Sequence, residues 1–368
     1  MEKRQHKLTT WQSENNIDMC FIQSKENIFY LSNVYSDPHE RLTGLFFFKN
    51  TEPIFICPKM EVEQVKDAGW ENEIIGYGDE QNPWELIQKH IATNQKVDKI
   101  EKIAIEKEVT TYSRYESLLQ ISSAHCEIVE VDQLMNELRV IKDEHEIYIM
   151  QHAAELADYG VEVGISCLRE GITEMEVLAK IEYELKKKGI REMSFSTMVL
   201  FGENSGQPHG NPGLRKLKKG DFVLFDLGVI VDGYCSDITR TVVYKSYTEK
   251  QKEIYDIVLK AQMAALSNSQ PGTRIGDLDI IARQIITEAG FGNYYPHRLG
   301  HGLGINVHEF PSMNENNNHT LKKGMVYTIE PGVYLPDIGG VRIEDDVLIT
   351  DEGYRTLTQF TKEFTVIS

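Results

Sequence analysis

Leu217-Lys218-Lys219-Gly220-Asp221-Phe222-Val223-Leu224-Phe225-Asp226-Leu227-Gly228 and Leu321-Lys322-Lys323-Gly324-Met325-Val326-Tyr327-Thr328-Ile329-Glu330-Pro331-Gly332 are one pattern written twice. Each copy is a basic turn, a glycine, an apolar run of strand length, a carboxylate and a second glycine. An offset of 104 superposes Gly220 on Gly324, Asp226 on Glu330 and Gly228 on Gly332. A strand seldom ends its apolar run on a carboxylate. Two that do so in register predict two half-sites facing each other across a pseudo-two-fold axis.

A second carboxylate follows in each half. Asp232-Gly233 lies between Gly228-Val229-Ile230-Val231 and Tyr234-Cys235-Ser236-Asp237. It is a two-residue hairpin turn by composition. That turn pairs Val231 with Tyr234 and sets Gly228 opposite Asp237. Asp226 and Asp237 then become diagonal neighbours on one face. Gly228 is expected to leave room for the Asp237 side chain. In the other half, Asp337-Ile338-Gly339-Gly340 leads to Val341-Arg342-Ile343-Glu344. A strand there shows Arg342 and Glu344 on one face. Packing the halves together converges Asp226, Asp237, Glu330 and Glu344.

Four such groups at close range raise one another's pKa and neutralise unless positive charge joins them. Two divalent cations balance four carboxylates. Oxygen donors with an imidazole suit Mn²⁺, Co²⁺ or Zn²⁺ better than they suit a structural thiolate zinc site.

The 368 residues suggest two domains, and the net charge of −18 argues against nucleic acid or an anionic membrane as partner. No apolar run approaches the roughly 18 residues of a membrane span. The N-terminal stretch from Met1 to Lys7 leads into no signal-peptide core. Five scattered cysteines without a CxxC read as free thiols in a reducing cytoplasm.

Residues 1–134 alternate short strands (Met19 to Ile22, Gly44 to Phe48, Pro53 to Ile56, Ile103 to Ile105) with helices and carry no phosphate loop. Asn82-Pro83-Trp84-Glu85 offers a cap, a helical first-position proline and a capping box. Residues 36–41, Ser-Asp-Pro-His-Glu-Arg, are dense in charge. They form either a solvated loop or one that reaches another subunit's site.

Residues 135–368 read as a second domain. A helix runs from about Asp143 to Leu168, and a second begins at the Thr173/Glu176 capping box and stops at Gly189. The pattern repeats with Thr248/Gln251, a break at Pro271-Gly272 and a stop at Gly290. Gly171/Gly272 and Gly189/Gly290 both differ by 101. Two related halves, each helix, helix and hairpin, make one domain.

Four of the eleven histidines lie in loops beside the carboxylate strands: His209, His297, His301 and His308. Glycines around His301 let backbone approach a site closely. A neutral imidazole there completes a metal shell, and others can donate to an oxyanion.

These residues with their spacings resemble the creatinase/methionine aminopeptidase fold, the pita-bread metallopeptidases. Pro208-His209-Gly210, His297 to Gly304, Val307-His308-Glu309, Ile329 to Gly332 and Val341 to Glu344 jointly resemble its proline-specific branch, above all bacterial cytoplasmic prolidases. The resemblance covers the whole chain. It implies an α/β creatinase-like domain (1–134), a pita-bread catalytic domain (135–368), a homodimer and a cytoplasmic location. It also implies two divalent ions, Mn²⁺ foremost, on Asp226, Asp237, His301, Glu330 and Glu344. Asp226 would chelate one ion and His301 the other, with Asp237 and Glu344 shared. Cleavage of Xaa-Pro dipeptides would follow from a metal-bridged hydroxide, with Glu330 as proton shuttle and His209 and His308 steadying the carbonyl.

His297, Arg298, Ser312, Tyr334 and Arg342 would line the substrate, with Arg342 also pairing a ligand carboxylate. Ser312 stands where many prolidases have an arginine. That departure leaves open an aminopeptidase P activity on longer peptides, and Arg298 is the candidate to grip a free carboxylate instead. The 14-residue gap from Glu330 to Glu344 argues against methionine aminopeptidase. The intact ligand set argues against creatinase and against a non-catalytic peptide-binding module of the same fold.

Overall fold

The computed structural model describes residues 1–97 and 99–368. Two compact units form, Met1–Arg139 and Val140–Ser368.

In the first unit six strands form one sheet: β1 (Met19–Ile22), β2 (Gly44–Phe48), β3 (Ile54–Pro58), β4 (Ile74–Tyr77), β5 (Lys102–Ile105) and β6 (Glu127–Glu130). Their order is β4-β3-β2-β1-β5-β6. β2 runs antiparallel to both neighbours, and the remaining pairs are parallel. β1 to β3 are buried on both faces, as their unbroken apolar runs require. Helices α1 (Glu2–Glu14), α2 (Lys25–Ser32), α3 (Val62–Asp67), α4 (Pro83–Thr93), α5 (Tyr112–Gln120) and α6 (Asp132–Arg139) accompany the sheet. Asn82 caps α4 by accepting from Trp84 N at 3.0 Å, with Pro83 in the first turn. Among the described residues no return bond from Glu85 completes the expected box. In the charged loop, Arg41 pairs with Asp79 of the same unit at 3.2 Å.

The second unit repeats itself as the sequence does. The first half supplies α7 (Glu144–Ser166), α8 (Glu174–Lys187), β7 (Met198–Phe201), β8 (Phe222–Leu227), the hairpin β9 (Ile230–Val231) and β10 (Tyr234–Cys235), and β11 (Ile238–Tyr244). The second half supplies α9 (Glu249–Ser267), α10 (Ile275–Glu288), β12 (Gly300–Gly302), β13 (Glu309–Met313), β14 (Val326–Ile329), β15 (Gly332–Leu335), β16 (Gly339–Arg342), β17 (Asp345–Thr350) and β18 (Gly353–Thr356), and β19 (Val366–Ile367) closes the chain. β19 lies parallel to β11. The sheet orders are β19-β11-β8-β7 and β13-β12-β14-β17-β18, and each half carries a small separate hairpin after its central strand.

Capping boxes start α7, α8 and α9 at Asp143/Glu146, Thr173/Glu176 and Thr248/Gln251. The paired glycines Gly189/Gly290 and Gly220/Gly324 all have φ between 85° and 93°. The two halves therefore end helices and enter their central strands by the same left-handed turns.

Small residues set how closely α7 approaches β8. A Cβ on Gly164 would fall 2.6 Å from the Phe225 ring, and one on Gly160 would fall 2.9 Å from Leu227. This contact fixes the end of β8, where Asp226 stands.

The β8–β11 register pairs Leu227 with Ile238 and Asp226 with Thr239, and the hairpin pairs Val231 with Tyr234. Both agree with Gly228 lying opposite Asp237. The reason for the glycine is different from the expected one. A Cβ on Gly228 would stand 1.9 Å from the Ser236 carbonyl and 3.0 Å from Ser194 Oγ, so the crowding comes from backbone and not from Asp237. The other hairpin also differs. β16 stops at Arg342 and β17 starts at Asp345, so Arg342 and Glu344 share no strand. Glu344 N donates instead to Thr239 O of the other half at 3.1 Å, which bends the chain across.

Gly228→Ala is expected to destabilise by about 3 kcal/mol through this overlap. Gly189→Ala, with a left-handed φ but open space around it, is expected to cost about 1 kcal/mol. Calorimetric Tm values of the two variants check the contrast; equal shifts would mean that the hairpin can widen.

Candidate metal centre

Each half brings its carboxylates to the end of its central strand. Asp226 is the last polar position of β8, Asp237 lies between β10 and β11, Glu330 directly follows β14, and Glu344 lies between β16 and β17. His301 is the middle residue of the short strand β12. All five line one cavity of about 330 Å³. One ligand atom from each of Asp237, His301 and Glu344 falls within 4.8 Å of the others. His301 Nε2 lies 3.7 Å from Asp237 Oδ2 and 3.3 Å from Glu330 Oε1.

The glycines flanking His301 permit this crowding. A Cβ on Gly300 would meet Thr328 O at 2.0 Å, and one on Gly302 would meet Phe310 O at 2.3 Å. His301 also directs Nδ1 at Gly302 O, 3.1 Å away, which leaves Nε2 facing the carboxylates.

Buried polar atoms almost always have partners. Here Asp226 Oδ1, Asp237 Oδ1 and Glu344 Oε1 are buried and have none among the described residues. Three unsatisfied carboxylate oxygens beside an imidazole are the donor set that a hard or borderline divalent cation completes. The residues therefore fit divalent metal.

The electrostatics agree. Burial pushes Asp226 up, partly offset by Arg342. Burial and then Glu344 and Asp226 push Asp237 well up. Burial and then Glu330 and Asp226 push Glu344 well up. For Glu330 burial acts in the same direction, but the hydrogen bond and charge of His301, with His297 and Arg342, outweigh it and hold the carboxyl down at about 2. Burial thus raises the cost of charge on Asp226, Asp237 and Glu344, and the His301 side chain favours it on Glu330.

Arg342 is buried and fully engaged. It bonds Asp226 Oδ2 through NH2, Thr239 Oγ1 through Nε at 3.0 Å and Tyr334 Oη through NH1 at 2.8 Å. Tyr334 Oη lies 2.8 Å from His297 Nε2, whose Nδ1 lies 2.8 Å from Arg298 O. Arginine can only donate, so Tyr334 accepts from it and donates to His297, and His297 Nδ1–H is left for the carbonyl. Burial also pushes the His297 pKa down, which keeps the ring neutral. His297, Tyr334 and Arg342 all border the cavity, and each is already bonded to fixed partners in the protein. What they offer a substrate is ring surface and a fixed wall.

His209 and His308 border the cavity from loops of opposite halves. The His308 ring stands edge-on to His301 with centroids 4.2 Å apart. Burial, then His301 and Arg298, push the His308 pKa down to about 4. Arg298 also borders the cavity, exposed, and donates to Ser312 Oγ at 3.0 Å. Ser312 in turn accepts from Asn314 Nδ2 at 2.8 Å. Among the described residues no acid pairs with Arg298.

Several contributors escaped the sequence reading. Thr239 Oγ1 donates to Glu344 Oε2 at 2.6 Å while accepting from Arg342, so it joins the two. Thr328 Oγ1 reaches both His301 N, at 3.2 Å, and Glu330 Oε1, at 3.3 Å. Each lies in sequence two residues from Asp237 or Glu330, a spacing that was available. Asp346, buried, accepts from Asp237 N at 3.1 Å. Phe195, Met198 and Val307 give the cavity an apolar wall that no motif marks.

Comparison with known proteins gives the same picture. Residues 148–351 match the model of metallopeptidase family M24, and residues 4–141 match the creatinase/prolidase N-terminal domain. The protein YkvY of Bacillus subtilis strain 168 is 58% identical over 364 residues, 99% of each chain. The structure of the prolidase from Pyrococcus horikoshii OT3 superposes with a TM-score of 0.90 at 36% identity, covering 98% of this chain and 99% of that one. The Xaa-Pro dipeptidase from Bacillus anthracis superposes with a TM-score of 0.90 at 33% identity, covering 99% of both. With a matching model over most of the second unit and a cavity built for divalent cations, the chain belongs to metallopeptidase family M24 and is a hydrolase of that family.

Proposed function

We propose that the chain hydrolyses the Xaa-Pro bond of dipeptides with two divalent ions. The observation that carries this reading is the set of orphaned oxygens on Asp226, Asp237 and Glu344 around His301, in a cavity that also holds an arginine without an acid partner. In this reading Asp226, Asp237, His301, Glu330 and Glu344 would hold the ions. Mn²⁺ suits the oxygen-rich set best, with Co²⁺ or Zn²⁺ as alternatives. When bound, the ions supply Lewis acidity and a water activated at neutral pH.

The chain's own residues do the rest. Glu330, held ionised, accepts the proton of the attacking water and delivers it to the proline nitrogen, which must gain a proton to leave. His308, neutral because its pKa is low, donates a hydrogen bond to the carbonyl oxygen of residue Xaa as charge develops there. His209 approaches from the other half and shares that role. The tertiary amide of proline has no N–H. A site that engages the carbonyl and the two ends of the substrate needs none. The wall of Phe195, Met198 and Val307 suits apolar groups beside the bond. Arg298, steadied by Ser312, is the partner for the free carboxylate of proline, since a guanidinium binds a carboxylate through paired donors.

Asp237→Ala and Glu344→Ala are each expected to abolish hydrolysis of Leu-Pro nearly completely in Mn²⁺-replete buffer and to lower bound metal. Both variants retaining more than a trace of activity would remove the two-ion reading. His209→Ala and His308→Ala are expected to keep their metal and lose on the order of 10²–10³ in kcat, as for a lost oxyanion donor. Metal depletion in either variant, read by elemental analysis, would make that histidine a ligand instead.

Arg298→Ala separates dipeptidase from aminopeptidase P. The expected result is a large rise in KM, or loss of rate, on Leu-Pro and a much smaller effect on Leu-Pro-amide. Equal effects on both would take Arg298 out of carboxylate recognition and favour cleavage of longer peptides.

A further inference from the structure

His209 makes no side-chain hydrogen bond among the described residues, so its place at the cavity must come from its loop. That loop, residues 202–221 between β7 and β8, has little regular structure beyond one 3₁₀ turn, Gly202–Gly206. What closes it is a buried carboxylate from outside it. Glu174, the first residue of α8, is fully buried. Its Oε1 accepts from Phe201 N at 2.8 Å and from Asn204 Nδ2 at 2.9 Å. Its Oε2 accepts from Gly213 N at 2.8 Å. Phe201 and Asn204 precede His209, and Gly213 follows it. One side chain thus ties together both arms of the loop that bears the imidazole.

The first turn of α8 adds backbone bonds to the far arm, Met175 N to Gly213 O and Glu174 N to Arg215 O, both 3.2 Å. Ser205 Oγ accepts from Gly340 N at 2.8 Å and anchors the near arm to β16. Two sets of contacts span the arms: those of the buried Glu174 side chain, and the more exposed ion pair of Arg215 with Glu203, Nε to Oε1 at 2.9 Å.

A carboxylate is the group this position requires. It accepts on both oxygens and donates on neither, so three N–H groups can converge on it. Those donors and the positive end of α8 offset the loss of hydration. An amide would bring an NH₂ against at least one N–H. The mechanism proposed above uses none of these contacts.

We propose that Glu174 is a positioning residue for His209, holding the loop that presents the imidazole to the substrate carbonyl; this rests on the role given to His209 above. The test is a double-mutant cycle on the metal-loaded full chain: wild type, Glu174→Gln, His209→Ala and both together, assayed on Leu-Pro. Glu174→Gln is expected to lower kcat by on the order of 10- to 10²-fold, the scale of a group displaced by about 1 Å. KM and bound Mn²⁺ should stay near wild type. In the His209→Ala background the same change should cost only about 2-fold, because residues that act through one another are not additive. Amide hydrogen exchange should quicken over residues 201–213 and stay unchanged in β14.

A slow His209→Ala variant combined with the full Glu174→Gln penalty in both backgrounds, or with no penalty at all, overturns the proposal alone. Loss of metal from Glu174→Gln overturns it too. A wild-type rate in His209→Ala removes the role given to His209 and this proposal with it. Should Glu174→Gln fail to fold, Asn204→Leu, which deletes one of the three bonds, goes through the same cycle with a smaller expected loss of kcat and the same reading of each outcome.

Discussion

Repulsion among Asp226, Asp237, Glu330 and Glu344 is the constraint to which the second unit is built. Two like charges about 4 Å apart cost on the order of 4 kcal/mol at an effective dielectric constant near 20. A few such pairs would consume the roughly 5–15 kcal/mol by which a domain is stable. The ion-free chain limits the cost in two ways. Burial and neighbouring carboxylates raise the pKa values of Asp237 and Glu344, so these two give up charge more readily than a free carboxyl. The chain also sets one cationic or imidazole partner beside each remaining acid, Arg342 beside Asp226 and His301 beside Glu330. Neither device satisfies the orphaned oxygens, and metal does both jobs at once.

From that constraint the neighbouring geometry follows. A buried carboxylate that must face an ion cannot be left to swing. Thr239 and Thr328 therefore spend their hydroxyls on ligand groups. Arg342 spends all three nitrogens on fixed partners. The Tyr334–His297 pair ends the same chain of bonds at a backbone carbonyl. Holding the ligands rigidly on strand ends reduces reorganisation when cations bind or charge moves.

What could be read from the sequence was whatever repeats or alternates. The 104-residue offset, the capping boxes of the second unit and the hairpin register at Asp232-Gly233 follow from local rules, and the structure has them. The convergence of the carboxylates was legible because acids at matching strand ends in two halves repel each other, and a fold tolerates that only where cations are to be bound. The reason for Gly228 was not legible, because it lies in a backbone contact with Ser236 that no side-chain pattern encodes. The break between Arg342 and Glu344 was hidden for a similar reason: a strand of alternating residues was the local expectation, and a hydrogen bond to Thr239 in the other half overrides it. That His297 and Tyr334 bond to each other at the cavity wall was not legible either, because no sequence pattern says where a donor is spent.

Two kinds of functional residue differ in how they are held. The residues proposed as metal ligands sit at or beside strand ends, with neighbours bonded to them. His209, His308 and Arg298 sit on loops and stay exposed toward the cavity. Chemistry requires this division. An ion needs a fixed shell, whereas a substrate must enter and its product must leave. Loops that admit substrate cannot be braced along their length without closing the entrance, so they must be held at their ends. Glu174 does this for the loop of His209. In the other half, Lys142 and Asn306 N meet the Glu309 carboxylate directly behind His308, at 3.3 and 2.9 Å. Both carboxylates lie outside the repeated stretches that the sequence makes visible. This places the precision of the loops in residues that touch neither metal nor substrate.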